Sequence, residues 1–268
     1  MVQLRWLTWP GGSVMAFKRT LGPSAPLHGE ALTTAMVGIG MNFAASPALN
    51  PNIEDTLLAA SVEGLEHEDY RVLAVLVSWL EIHPAWINAD RLTTLAAQHP
   101  SGRVRAFWSA VGAWLAKDRR FARLARIYHG PRLDLLASGT DFHLRRSGED
   151  PRFNGGPLRV PGKVLRDRKA DILTPAELAQ RHRTYRRRIL LGPSYRADMW
   201  AELEADPALP AAELARRTYG SFATAWHVKH DWQLLDESKG SDEQSGKIKL
   251  SRKALIPKPE GSGFPSRP

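Results

Sequence analysis

The chain of 268 residues contains no cysteine. Disulfide frameworks, thiolate zinc sites and cysteine nucleophiles are therefore excluded, and the reducing cytoplasm is the simplest home for it. It also has no uninterrupted apolar run of about 18 residues or more, so no membrane-spanning helix and no membrane partner are expected. The best apolar stretch, Tyr70 to Leu80, is too short to span and reads as a helix buried on most sides. Lys18 and Arg19 ahead of Ala35–Gly40 are a poor export signal, because the apolar part is short, interrupted and far from Met1. Catalytic signatures are equally scarce. There is no phosphate-binding Gly-x-x-x-x-Gly-Lys-Ser/Thr loop, no Rossmann glycine fingerprint, no Gly-x-Ser-x-Gly elbow and no His-Glu-x-x-His zinc motif.

What the chain does have is positive charge in one place. Its net charge is +9, with 43% apolar residues and ordinary numbers of glycine (21) and proline (19), so a folded core is expected rather than a fibre or a disordered chain. Residues 101–200 hold 22 Lys and Arg against 9 Asp and Glu, whereas residues 51–100 hold 2 against 8. A basic middle beside an acidic region suggests a surface that faces a polyanion, most simply nucleic acid. A soluble protein that merely uses much arginine would look similar.

Residues 1–50 lack periodicity and repeat Pro and Gly, so they are expected to be mostly disordered, and Met15 or Met41 could serve as the start in place of Met1. A helical domain is expected over 51–137. Asn52 can cap a helix through Ile53, Leu57, Leu58, Val62 and Leu65, with Glu54 and Asp55 in its first turn. Tyr70–Ile82 follows, ended by Pro84. Trp86, Leu92, Leu95 and Ala96 mark a third helix, and Val104, Phe107, Trp108, Val111, Trp114 and Leu115 a fourth, at three- and four-residue steps. Phe121, Leu124, Ile127 and Tyr128 suggest one more before Gly130-Pro131. The fold class is thus mainly α, with an N-terminal helical bundle or short helical-repeat domain. Its surface offers a place for a second copy or a protein partner. Residues 138–172, rich in Arg and punctuated by Gly and Pro, read as a basic connecting segment with a short strand near Leu158-Arg159-Val160. Thr174-Pro175 with Glu177 opens a second helical block, 173–250, and 251–268 is expected to be a disordered tail.

The most informative stretch is 194–235. Ser194 can cap a helix carrying Ala197, Trp200 and Leu203 that ends at Asp206-Pro207. There follow Leu209-Pro210-Ala211-Ala212-Glu213-Leu214-Ala215-Arg216-Arg217-Thr218-Tyr219-Gly220 and then Ser221-Phe222-Ala223-Thr224-Ala225-Trp226-His227-Val228-Lys229-His230-Asp231-Trp232. This resembles the helix-turn-helix module, in some cases winged, of bacterial transcriptional regulators. In that family a short helix bearing Glu-Leu-Ala runs into a glycine turn, and a Ser or Thr opens the recognition helix. Family members usually place the turn glycine where Tyr219 stands here. The resemblance implies binding to double-stranded DNA and control of transcription, in one version as an antitoxin-like regulator that also grips a partner enzyme.

The residues carry a physical case of their own. Two steeply crossing helices need a small residue at closest approach, Ala215, and a tight turn needs one tolerant of positive φ, for which Gly220 is the candidate. Ser221 can cap the second helix, with Ala225, Val228 and Trp232 inward and Phe222, Thr224, His227, Lys229 and His230 outward. Ser221, Phe222, Thr224 and His227 are the candidates to touch base edges. The stretch is slightly acidic, 4 Lys and Arg against 6 Asp and Glu, and phosphate contacts dominate affinity for DNA. Arg181, Arg183, Arg186, Arg187 and Arg188 on the preceding helix, with Arg216, Arg217 and Lys229, are therefore the candidate phosphate contacts. A wing would need Trp232–Leu235 and Lys247–Leu250 as paired strands across a polar loop.

Two other classes stay open. One is a non-enzymatic protein-interaction scaffold whose helix-turn-helix is degenerate. The other is a nucleic-acid-processing enzyme using loop carboxylates Asp141, Glu149 and Asp150 to hold magnesium. His227 and His230 beside Asp231 could form part of a metal site, but no third ligand is evident. No cofactor is expected.

Overall fold

The computed structural model describes residues 25–236, and they are mainly helical. Helix α1 spans Gly29–Gly38, α2 Ile53–Glu66, α3 Tyr70–Ile82, α4 Ala89–Gln98 and α5 Gly102–Trp114. The starts of α2 to α5 follow from capping chemistry. Asn52, Asp69, Asn88 and Ser101 each accept a hydrogen bond from a backbone N–H of the first turn, satisfying donors that the helix itself leaves orphaned. Nearly every position from Val72 to Leu80 is buried, as the unbroken apolar run implies, and Trp79 and Trp108 are among the largest fully buried side chains.

Two expectations fail here for a common reason. Residues 25–50 are not disordered: α1 packs Leu32 and Met36 into the core, followed by Ile39 and Met41. Trp79 Nε1 donates to the Ile39 carbonyl at 2.8 Å, and Leu173 N donates to Gly40 O at 2.9 Å. Residues 1–24 lie outside the described residues. Nor is 138–172 a connecting segment. Phe153, Leu158, Val160, Leu165 and Ile172 belong to the same core, and a two-strand parallel ladder pairs β1, Leu133–Asp134, with β2, Leu158–Arg159. Helix α6, Thr140–Ser147, lies between the two strands in sequence. Anchors spaced irregularly through a loop have no period, so neither segment registers as structure in a periodicity reading. The helix expected around Phe121–Tyr128 is instead two 3-10 turns, Arg119–Phe121 and Leu124–Arg126.

The Arg-rich helix is two helices. Helix α7, Pro175–Arg181, opens with the expected capping box of Thr174 and Glu177, and α8, Arg183–Leu191, starts afresh at a His182 cap. Both pack on the N-terminal core through Leu178 and Tyr185, so the second helical block does not begin at 173 as a separate body. A separate core belongs to α9, Tyr195–Ala205, α10, Ala211–Thr218, and a final helix α11 over 222–236. It is built from Met199, Leu203, Leu209, Leu214, Ala215, Ala225 and Val228, with Trp200 and Trp232 packed at its edge, their rings 5.2 Å apart. Trp232–Leu235, proposed as a wing strand, are helical, and the partner strand Lys247–Leu250 lies outside the described residues.

Candidate functional site

The small three-helix unit is fixed to the larger domain by buried charge. Arg188 has no solvent exposure. Its guanidinium donates to both oxygens of Glu54 on α2 (2.6 and 2.9 Å), both oxygens of Asp198 on α9 (2.7 and 2.9 Å) and the Trp86 carbonyl (3.0 Å). Arg91 donates to Asp55 at 2.7 Å and to Asn52 at 2.9 Å. Three carboxylates thus share two guanidiniums in a desolvated layer. Burial pushes Glu54 upward, but the Arg188 and Arg91 charges and the Asn88 amide hold it below the usual carboxylate range. For Asp198 and Asp55, burial outweighs what the arginines return, and both are raised above the usual carboxylate range. The arginine expected to meet phosphate is therefore a structural clamp. A charge whose valence is filled by two buried carboxylates has no face left for DNA.

The turn between α10 and α11 corrects a second expectation. Positive φ falls on Tyr219 (57°) and not on Gly220. Left-handed backbone costs a tyrosine about 1–2 kcal/mol. Its side chain offsets this: the ring lies under the Arg91 guanidinium, 4.1 Å from its centroid, and the hydroxyl hydrogen-bonds to Asp55. Burial and the Asp55 charge raise the phenol to about 12. At Gly220 a Cβ would lie 2.3 Å from Met199 Cε, so the end of that side chain would have to shift. The turn residue that joins α10 to α11 is consequently an anchor onto α2 and α4.

Helix α11 opens as its composition implies. Ser221 Oγ accepts from Thr224 N at 3.1 Å, Ala225 and Val228 are fully buried, and Ser221, Phe222, Ala223, Trp226, His227 and His230 are exposed. Thr224 is half-buried and its hydroxyl shares a hydrogen bond with Ser221. Of the four candidate base-contacting residues, Ser221, Phe222 and His227 therefore stand outward near the helix start. Trp226 was missed. It is 53% exposed, stacks on His230 with ring centroids 5.8 Å apart and meets His227 edge-on. Its position one step past Ala225 places it outward on any helical wheel.

The candidate phosphate contacts are dispersed. Arg186 and Arg187 both bind Glu204 on α9, at 2.5 and 2.9 Å. Arg216 and Arg217 bind Glu213 and hold its carboxyl down to about 2, and Arg217 also faces Glu202 at 3.7 Å. Lys229 donates to the carbonyls of Ala208 and Leu209, tying α11 to the loop before α10. Arg181 is exposed on α7 and Arg183 half-buried on α8, both ahead of the three-helix unit. Only Arg216 and Arg217 combine exposure with a place in that unit.

The loop carboxylates do not converge. Asp141 pairs with Arg159, Glu149 with Arg132 and Asp150 with Arg152, each on its own arginine. Asp231 pairs with Arg196 at 2.7 Å. Among the described residues no three His, Asp or Glu side chains come together as a metal site requires. No helix among them is long and apolar enough to cross a membrane. No protein-family model, curated protein or solved structure matches this chain.

Proposed function

We propose that the chain binds double-stranded DNA through α10 and α11 and acts as a transcriptional regulator. One observation carries this: the Ser221-capped start of α11 is bare on its outer side while its back closes on a core of its own. A helix presented in this way can enter a major groove, where its first turns meet base edges. Phe222 and Ala223 suit thymine methyl groups, and Ser221 and His227 supply donors and acceptors. Arg216 and Arg217 can exchange Glu213 for phosphate at small cost, because exposed ion pairs contribute about 0–1 kcal/mol.

A second reading is favoured by the exposure of Phe222 (43%), Trp226 (53%) and Leu234 (52%): the same face docks a protein instead. Selection of binding sites from a random duplex library, followed by fluorescence anisotropy at several salt concentrations, separates the two. DNA binding predicts an enriched sequence, affinity that falls with salt, and loss of sequence preference on His227→Ala and Trp226→Ala. No enrichment at low salt would overturn the DNA proposal and leave the docking surface.

A further inference from the structure

Cations are scarce around α11 and abundant elsewhere in the chain. Between α5 and β1, residues 117–126 hold Lys117, Arg119, Arg120, Arg123 and Arg126 against a single acid, Asp118. Phe121 and Leu124, both fully buried, pin this segment of two 3-10 turns onto α4 and α5. With those two residues inward, all five cations are exposed.

Their charge is mostly uncommitted. Arg120 is held by Asp118 at 2.5–3.1 Å and by the carbonyls of Pro84 and Ile87, both at 3.2 Å. Arg123 meets Asp90 at 3.3 Å, with both side chains about three-quarters exposed, a pair that holds little in water. Lys117, Arg119 and Arg126 are in no ion pair among the described residues. The patch keeps an excess of positive charge even with Asp118 and Asp90 counted.

Its place relative to α11 is set by a short stretch of the larger domain. Asp90 adjoins Arg91, whose guanidinium stacks on Tyr219, the residue that turns α10 into α11. The Ile87 carbonyl holds Arg120, and the neighbouring Trp86 carbonyl holds Arg188. Residues 86–91 therefore touch the basic patch, the interdomain clamp and the turn before α11. Asp90 and Arg91, neighbours on α4, thus carry Arg123 of the patch and Tyr219 of the turn respectively.

We infer that residues 117–126 grip the phosphate backbone of the duplex whose groove α11 enters, with Arg119, Arg123 and Arg126 as the contacts. This rests on the DNA-binding proposal and supplies the phosphate contacts that α8 does not. Such contacts carry no sequence information but set affinity and salt dependence.

The test measures anisotropy of a fluorescein-labelled duplex of about three helical turns, roughly 30 base pairs, over a salt series. The triple variant R119A/R123A/R126A is expected to flatten the logarithmic salt slope by about 0.9 per contact and to weaken binding roughly tenfold or more. That loss should be the same on selected and mixed sequences. The counterpart R119K/R123K/R126K keeps the charge and should keep the slope, and thermal melting of all three proteins checks that the fold is intact. If the wild type binds and the alanine triple binds with the same affinity and slope, the inference is wrong and the DNA proposal stands. Loss of binding in the lysine triple as in the alanine triple also sinks it, since charge is then not the agent. A wild type that binds no duplex overturns both.

Discussion

Replacing Arg188 by methionine removes the clamp's charge but keeps most of its length. In the wild type this side chain makes hydrogen bonds of 2.6–3.0 Å to two carboxylates and one carbonyl, all without solvent. Glu54 and Asp198 are then left buried with Arg91 as the remaining cation of the layer. Removing one partner of a buried ion pair costs about 3–5 kcal/mol, because an uncompensated charge stays behind. Against a total stability of roughly 5–15 kcal/mol that is a large fraction. The direction with pH is equally specific. Without Arg188 both carboxyls rise above their unfolded values, and a group raised in the folded state gives its full stabilisation once it is protonated. The gap between variant and wild type should therefore be widest at neutral pH and narrow as pH falls toward about 4. Urea denaturation followed by tryptophan fluorescence at pH 7 and pH 5 measures this. The triple variant R188M/E54Q/D198N, which removes all three charges together, should recover much of the loss. A loss for Arg188→Met below about 1 kcal/mol, or a gap that widens on acidification, would refute the buried-clamp argument.

Two further outcomes are expected. His83 and His182 are held neutral, each lowered from 6.5 to about 4 chiefly by burial. Nε2 of each donates to a backbone carbonyl, Leu173 and Pro51. Both contributions are complete above pH 6.5 and are lost as pH falls toward 4, at up to about 1.4 kcal/mol per pH unit for each histidine. A His182→Gln variant should show a shallower decline over that window in urea titrations, and an equal slope would count against it. At the α10–α11 turn, Tyr219→Gly relieves about 1–2 kcal/mol of backbone strain but loses the Arg91 stack and the Asp55 hydrogen bond, whereas Tyr219→Phe loses only the hydrogen bond. Both should weaken docking of the three-helix unit, read as faster amide exchange along α10 and α11. Unchanged exchange in both would show that Tyr219 is not an anchor.

Sequence order alone made α2, α3, α5, α9 and α10 legible, but not α1, α6 or the break between α7 and α8. Asn52, Thr174, Ser194 and Ser221 precede runs with helical spacing, and each caps the helix that follows. Capping and periodicity are local, involving residues within four positions, so neighbours in the chain suffice to reveal them. The inward Ala225 and Val228 and the outward Phe222, His227 and His230 of α11 were legible for the same reason, whereas Thr224 and Lys229, expected outward, are half-buried.

Everything that joins distant positions was decided by the tertiary structure. Whether an arginine faces solvent or two carboxylates cannot be read from its neighbours. Glu54 lies 134 residues from Arg188, and no local rule links them. The same holds for Tyr219, whose left-handed backbone is stabilised by Asp55 and Arg91 from another domain, and for the apolar anchors at Phe153, Leu165 and Ile172 in a stretch without period. Electrostatic and packing partners are chosen by proximity in space, and proximity arises only when the chain has closed on itself.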